Sequence, residues 1–232
     1  MAKSKSKALV APPTDEMCPP GYHVVHGHER ICHSGTATWV DTHIRKNHGK
    51  IHPGLLKENI LYLYWNSKQR FPPLKPIKGF DDSADYDQAI QFWLEYWKNH
   101  GVSFPKDLDP LIIKTIIAYE SSFNPNAKSK NSTASGLMQV LDPMLRMLGG
   151  FPNEKKWISV RTNLIHVEKQ DKLDPIVSIA LGTRLFGQKF SEIKDKDKRT
   201  VLETVCRYHS TKKDGIAYGK KIMELYEASR KK

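Results

Sequence analysis

The sequence predicts a mainly α protein with a small N-terminal β-containing module, and three observations lead there. From Leu108 onward apolar residues recur at three- and four-residue spacing almost throughout. Leu-Asp-Pro occurs at 108–110, 141–143 and 173–175, each time just ahead of such a run. β-Branched and aromatic residues around a turn signal gather near the N-terminus, and no sustained strand pattern follows residue 100. With 232 residues, 39% of them hydrophobic, the chain is long enough to bury a core. No apolar run reaches the roughly 18 residues that a membrane span needs.

Residues 1–17 read as a flexible leader. Its apolar stretch, Ala8 to Ala11, ends at Pro12-Pro13, short of the roughly 7–15 residues of a cleavable secretory signal. No Sec-type signal is therefore expected. Residues 18–52 hold Cys18, Cys32 and seven of the ten histidines. Val25-x-x-His28-x-Arg30 is echoed by Val40-x-x-His43-x-Arg45, with Ser34-Gly35 opening a β-branched stretch between them. Two short strands joined by a turn are expected, forming a small His/Cys-rich β module. A zinc site using Cys18, His23, His28 and Cys32 is the alternative, but the spacing fits none of the paired C-x₂-C or H-x₃₋₅-H patterns. The prediction is no metal and no cofactor.

Residues 53–102 are predicted to be a helical connecting region. One helix covers Leu55–Trp65 and stops before the Pro-rich stretch 71–76. A second, from Ser83 as N-cap to about Lys98, aligns Ile90, Trp93, Leu94 and Trp97 on one face, as a core stripe. Beyond it, Asp109, Asp142 and Asp174 are expected to cap three helices, with the following proline at the first helical position. Leu108 and Ile113 stand at staple spacing across the first of these starts. Helices at about 198–209 and 214–229 complete the chain. In the former, Val201, Leu202, Val205 and Tyr208 are expected to point inward together. Cys206 reads as a buried small hydrophobe.

The net charge of +12 is concentrated toward the C-terminus and suits an anionic partner: nucleic acid, a membrane surface or an acidic polymer. Charge alone does not choose among them. In the helix opened by Asp109, Ile113, Ile116, Ile117 and Glu120 share one face. A carboxyl on an apolar stripe is desolvated, which raises its pKa and suits it to general acid catalysis. A helix-end Glu reaching solvent or pairing with a Lys is the structural alternative.

Glu120-Ser121-x-Phe123-Asn124-Pro125-x-Ala127-x-Ser129, a short loop, and Gly136-Leu137-Met138-Gln139 follow. These positions resemble the soluble lytic transglycosylase (SLT) catalytic domain of the lysozyme-like superfamily, which cleaves bacterial peptidoglycan. Asp174-Pro175 to Leu185 and Arg207-Tyr208-His209 resemble later segments of the same family. The resemblance covers roughly residues 103–228, within a domain drawn as 103–232. It implies a lysozyme-like all-α domain with Glu120 as sole catalytic acid and base. Tyr208 would hydrogen-bond and orient Glu120, while Ser129, Met138 and Gln139 line the sugar cleft. The implied reaction cuts the MurNAc–GlcNAc bond and leaves 1,6-anhydromuramic ends. A hydrolytic muramidase on the same fold is the nearest alternative, and a basic nucleic-acid-binding protein on the same scaffold a more distant one. The resemblance further implies action in the periplasm or cell wall. With no signal expected, a specialised or phage-type route would deliver the chain, through delivery machinery and, for an antibacterial effector, opposed by an immunity protein. Ser178, Leu185, His209 and Ser210 depart from the family's usual residues, as do Thr133 and the length of the 130–135 loop.

Overall fold

In a computed structural model, describing residues 17–31, 35–47, 54–80 and 84–231, the chain forms a bent β ribbon followed by a helical body. The architecture is mainly α, as the sequence predicts. The ribbon contains four short strands rather than two. β1 (Tyr22–Val25) pairs antiparallel with β4 (His43–Lys46), and β2 (His28–Ile31) with β3 (Ala37–Val40). The sequence echo accounts for the extra pair. Val25 lies opposite His43 and His28 opposite Val40, so the two copies pair with each other across a shared bend. At that bend His28 and His43 each turn Nδ1 onto the carbonyl two residues earlier, of His26 and Asp41.

The ribbon is tied to the body through Glu58 and Asn59: Cys18 N and Val24 N donate to the Glu58 carbonyl and carboxylate at 3.3 and 3.5 Å. Asn59, buried in α1 (Lys57–Trp65), donates through Nδ2 to the carbonyls of Cys18, Pro19 and Tyr22, each at 3.1 Å. α1 starts two residues later than predicted because the Leu55 backbone is bridged to Leu164 and His166. The Cys18 thiol is buried, donates to the Tyr22 carbonyl, and has its pKa pushed up to about 11 by burial and then by Glu58. His28 is exposed and His23 meets Asn47. Among the described residues no group of three or more His, Cys, Asp or Glu is placed to hold a metal ion. Cys32, His33, His48 and His52 lie outside the described residues, as does Ser83.

α2 (Asp87–Asn99) follows a single 3-10 turn over Ala84–Tyr86 and buries Ile90, Trp93, Leu94 and Trp97 as expected. The Trp97 indole donates to the Ala180 carbonyl at 3.0 Å. α3 (Pro110–Ser121) and α5 (Pro175–Ser191) begin as predicted: Asp109 accepts from Leu111 N, and Asp174 from Ile176 N and Val177 N. Leu108 and Ile113 are both buried at the first of these starts. The middle start differs. α4 (Asp142–Leu148) has Leu141 at its N-cap, and Asp142, in the first turn, gives its carboxylate to Lys172 and Lys169 at 2.7 and 2.8 Å. Two ammonium groups outcompete a backbone N–H for a carboxylate.

α6 (Val201–His209) and α7 (Lys213–Arg230) close the fold. In α6, Val205 and Cys206 are buried, but Leu202 is 44% exposed. The buried stripe runs through Thr204 and Val205, which rotates Leu202 outward. Apolar side chains from Leu55 to Tyr226 join one core, in which every side chain of α3 from Leu111 to Ala118 is buried. Among the described residues no helix is long and apolar enough to cross a membrane.

Candidate active site

α3 carries Glu120 in its last turn and then stops without a glycine. Ser122 and Phe123 both take left-handed backbone (φ 49° and 60°), and Ser122 N closes the helix on Ala118 O at 2.8 Å. Non-glycine residues in this region cost energy and need surrounding structure to hold them. Here Phe123 is buried against Tyr86, with parallel rings 6.3 Å apart.

The chain then loops from Asn124 to Gly136, braced by Ser129 N to Ala134 O and Gly136 N to Ala127 O. Gly136 sits at φ +79°, and a Cβ there would lie 1.9 Å from the Lys172 carbonyl, so only glycine fits. Gly182 plays a similar part from α5, where a Cβ would strike the Met138 sulfur at 2.2 Å.

Burial pushes the Glu120 carboxyl up to about 7, against the opposing effect of Tyr218. The Tyr218 hydroxyl is buried beside the carboxyl, close enough to lower its pKa, but it makes no hydrogen bond of ordinary geometry to Glu120 or to any other described residue. Its own acidity is strongly suppressed, by burial first and then by the negative charge of Glu120. Tyr119 packs edge-on against the Tyr218 ring at 5.5 Å, and His209 stacks on it at 4.6 Å and 11°. His209, the last residue of α6, is itself exposed.

Tyr208 is also close enough for the Glu120 charge to raise its pKa, after burial. Its hydroxyl, however, donates to the Met138 carbonyl at 2.8 Å. The orienting hydrogen bond that the resemblance implies for Tyr208 is thus directed elsewhere. Met138 itself is fully buried. Its side chain packs on α5, and only its backbone faces the tyrosine, so the side chain does not line an open cleft. Gln139 (φ 48°) donates to the Ala127 and Gly136 carbonyls, and the Ser129 hydroxyl accepts from Asn131 N. Both are partly exposed and brace the loop facing away from the core. Ser178, where the family often has Asn, accepts from Met138 N at 3.2 Å and so anchors the same loop to α5.

The fold therefore brings Glu120, Tyr208 and Tyr218 together from α3, α6 and α7. Residues 103–213 match the family model described as "Transglycosylase SLT domain". Over those residues, just under half of its length, the chain is similar to that lysozyme-like domain. The family acts on the glycan strands of peptidoglycan, and that class of substrate is consistent with the basic chain. No curated protein matches the chain. The SLT match ends within the first turn of α7, so Tyr218 lies beyond it. The sequence offers one signal for Tyr218: it begins a stripe with Ile222 and Tyr226, four residues apart, and all three are buried.

Proposed function

We propose that the protein is a peptidoglycan lytic transglycosylase in which Glu120 serves as both acid and base. The observation that carries this reading is the desolvated Glu120 carboxyl with a pKa near 7. Such a group is protonated often enough to donate, and ionised often enough to accept, at neutral pH. Glu120 gives its proton to the oxygen linking muramic C1 to the next sugar, and the C1–O bond breaks. The resulting carboxylate takes the proton from the muramic C6 hydroxyl as O6 bonds to C1. The 1,6-anhydro ring forms without water, and Glu120 ends protonated as it began. Intramolecular attack also removes the entropic cost of recruiting a separate nucleophile.

The Tyr218 hydroxyl steadies the carboxylate between the two steps. Tyr208 holds the Met138 backbone, and with it the Ser129–Gln139 loop that lines the sugar cleft. Hydrolysis by a muramidase-like route needs a second carboxylate at about 5–9.5 Å.

Mass spectrometry of soluble products from purified sacculi tests this, with wild type and Glu120→Gln side by side. Anhydromuropeptides from wild type alone are expected. Reducing-end products would assign hydrolysis instead, and salt-sensitive DNA retention without any sugar cleavage would favour a nucleic-acid-binding scaffold. The place of action follows from the substrate: periplasm or cell wall, reached by a specialised or phage-type route, with an immunity protein opposing an effector role. Expression targeted to the periplasm should lyse cells, and cytoplasmic expression should not. The reverse pattern would overturn that part of the proposal.

A further inference from the structure

We infer that the groove between α4 and the turn at Asn153–Trp157 is a second, accessory binding site for anionic peptidoglycan strands, separate from the Glu120 carboxyl. This rests on the transglycosylase reading and names where a long substrate is held.

The groove encloses about 570 Å³, with Met144 and Met147 of α4 on one side and Phe151 and Trp157 on the other. Trp157 is 75% exposed and Phe151 51% exposed. Leaving an indole that far in water gives up burial free energy that folding would otherwise gain, and clustered exposed rings mark recognition surfaces.

The rings are held out by design of the backbone. Asn153 Oδ1 accepts from Lys155 N and Trp157 N at 2.9 and 3.0 Å, Asn153 N donates to Trp157 O at 3.0 Å, and Lys156 N donates to Asn153 O at 2.8 Å. A turn closed in both directions fixes the Trp157 backbone before any ligand arrives, which lowers the entropic cost of binding. Phe151 is fixed in turn by Phe151 N donating to Arg146 O at 3.1 Å and by the Arg146 guanidinium lying 5.6 Å over its ring.

The charge chooses the occupant. Arg146 and Lys155 line the groove, exposed Lys156 lies in the same turn, and Glu154 is the one acid of the turn. Flat aromatic faces take the apolar face of a pyranose ring, while the cations take the carboxylates that lactyl groups and peptide stems place along the same polymer. Position agrees. α4 starts three residues after Gln139, and Asp142 N at that start is held by the Thr133 hydroxyl of the loop carrying Ser129. A strand leaving the loop thus has the groove next along the chain's own path.

The test is co-sedimentation of the Glu120→Gln protein with insoluble sacculi and with glycan strands stripped of their peptides. Trp157→Ala with Phe151→Ala, both added to Glu120→Gln, should weaken retention about tenfold, the effect of losing an aromatic anchor. Trp157→Phe should recover most of it. In the active enzyme the same pair of alanines should raise KM on long strands and leave kcat on short muropeptides unchanged. Unaltered retention of the alanine variant, with circular dichroism showing it folded, overturns the proposal. So does a proportional loss on short and long substrates. Neither result touches the Glu120 reading, which fails only if wild type releases no Glu120-dependent products.

Discussion

Helix α3 desolvates two ionisable side chains in opposite ways, one fully buried and one half-buried. Near its middle, Lys114 is fully buried and meets Asp87 of α2 at 2.9 Å. At its C-terminal end, Glu120 is desolvated beside the hydroxyls of Tyr218 and Tyr208. The first charge is neutralised by a partner and is structural. The second has its pKa pushed up to about 7, and a retained proton is what the proposed acid–base role requires. Whether a desolvated group is structural or reactive depends on its partner as well as on its depth.

Substitutions at Glu120, Lys114, Asp87 and Asp109 break or sharpen this contrast. Glu120→Gln keeps the shape and removes the proton transfer, so glycan cleavage should fall by about 10²–10⁴-fold. Wild-type turnover should also decline as pH rises through about 7, where the acid form is lost, and a profile flat to pH 9 would contradict the assignment. Next, Lys114→Met or Asp87→Ala alone leaves an uncompensated buried charge and should cost about 3–5 kcal/mol in denaturant unfolding. Lys114→Met combined with Asp87→Leu should recover most of that, because the pair's worth lies in not being broken.

Asp109→Ala at the start of the same helix removes the cap on Leu111 N and the acceptor for the Tyr226 hydroxyl. It should cost about 1–2 kcal/mol, and Asp109→Asn distinctly less. The smallest effect is thermal. The folded state holds the Glu120 proton more tightly than the unfolded chain does, so this group's contribution falls as pH rises from about 4.5 to about 7. The melting temperature of Glu120→Gln relative to wild type should therefore be higher at pH 8 than at pH 4.

Much of this was legible in the sequence where a local rule met no competitor. Asp109 and Asp174 cap their helices because no ammonium group among the described residues bonds their carboxylates; Asp109 caps through one oxygen while the other takes the Tyr226 hydroxyl. Asp142 does not cap, because Lys169 and Lys172, 27 and 30 residues further on, reach it first. Helical spacing made Glu120 a candidate, and the Glu120-Ser121-x-Phe123-Asn124-Pro125 resemblance selected it over a solvent-reaching helix-end Glu. The acceptor of Tyr208 could not, since it is a carbonyl 70 residues away whose position depends on Gly136, Gly182 and Ser178. In the ribbon the echo was visible, but its meaning lay in antiparallel pairing of the two copies, which no one-dimensional pattern specifies.

The Trp97–Ala180 hydrogen bond has a consequence for modular exchange. Helices α1 and α2 lie ahead of the family match, yet their side chains fill the same core as α5. Moving residues 103–213 into another protein would leave holes where Trp93 and Trp97 stood and would remove the helix that carries Tyr218. The packed unit is larger than the stretch that sequence similarity outlines, since its core draws on side chains from Leu55 to Tyr226.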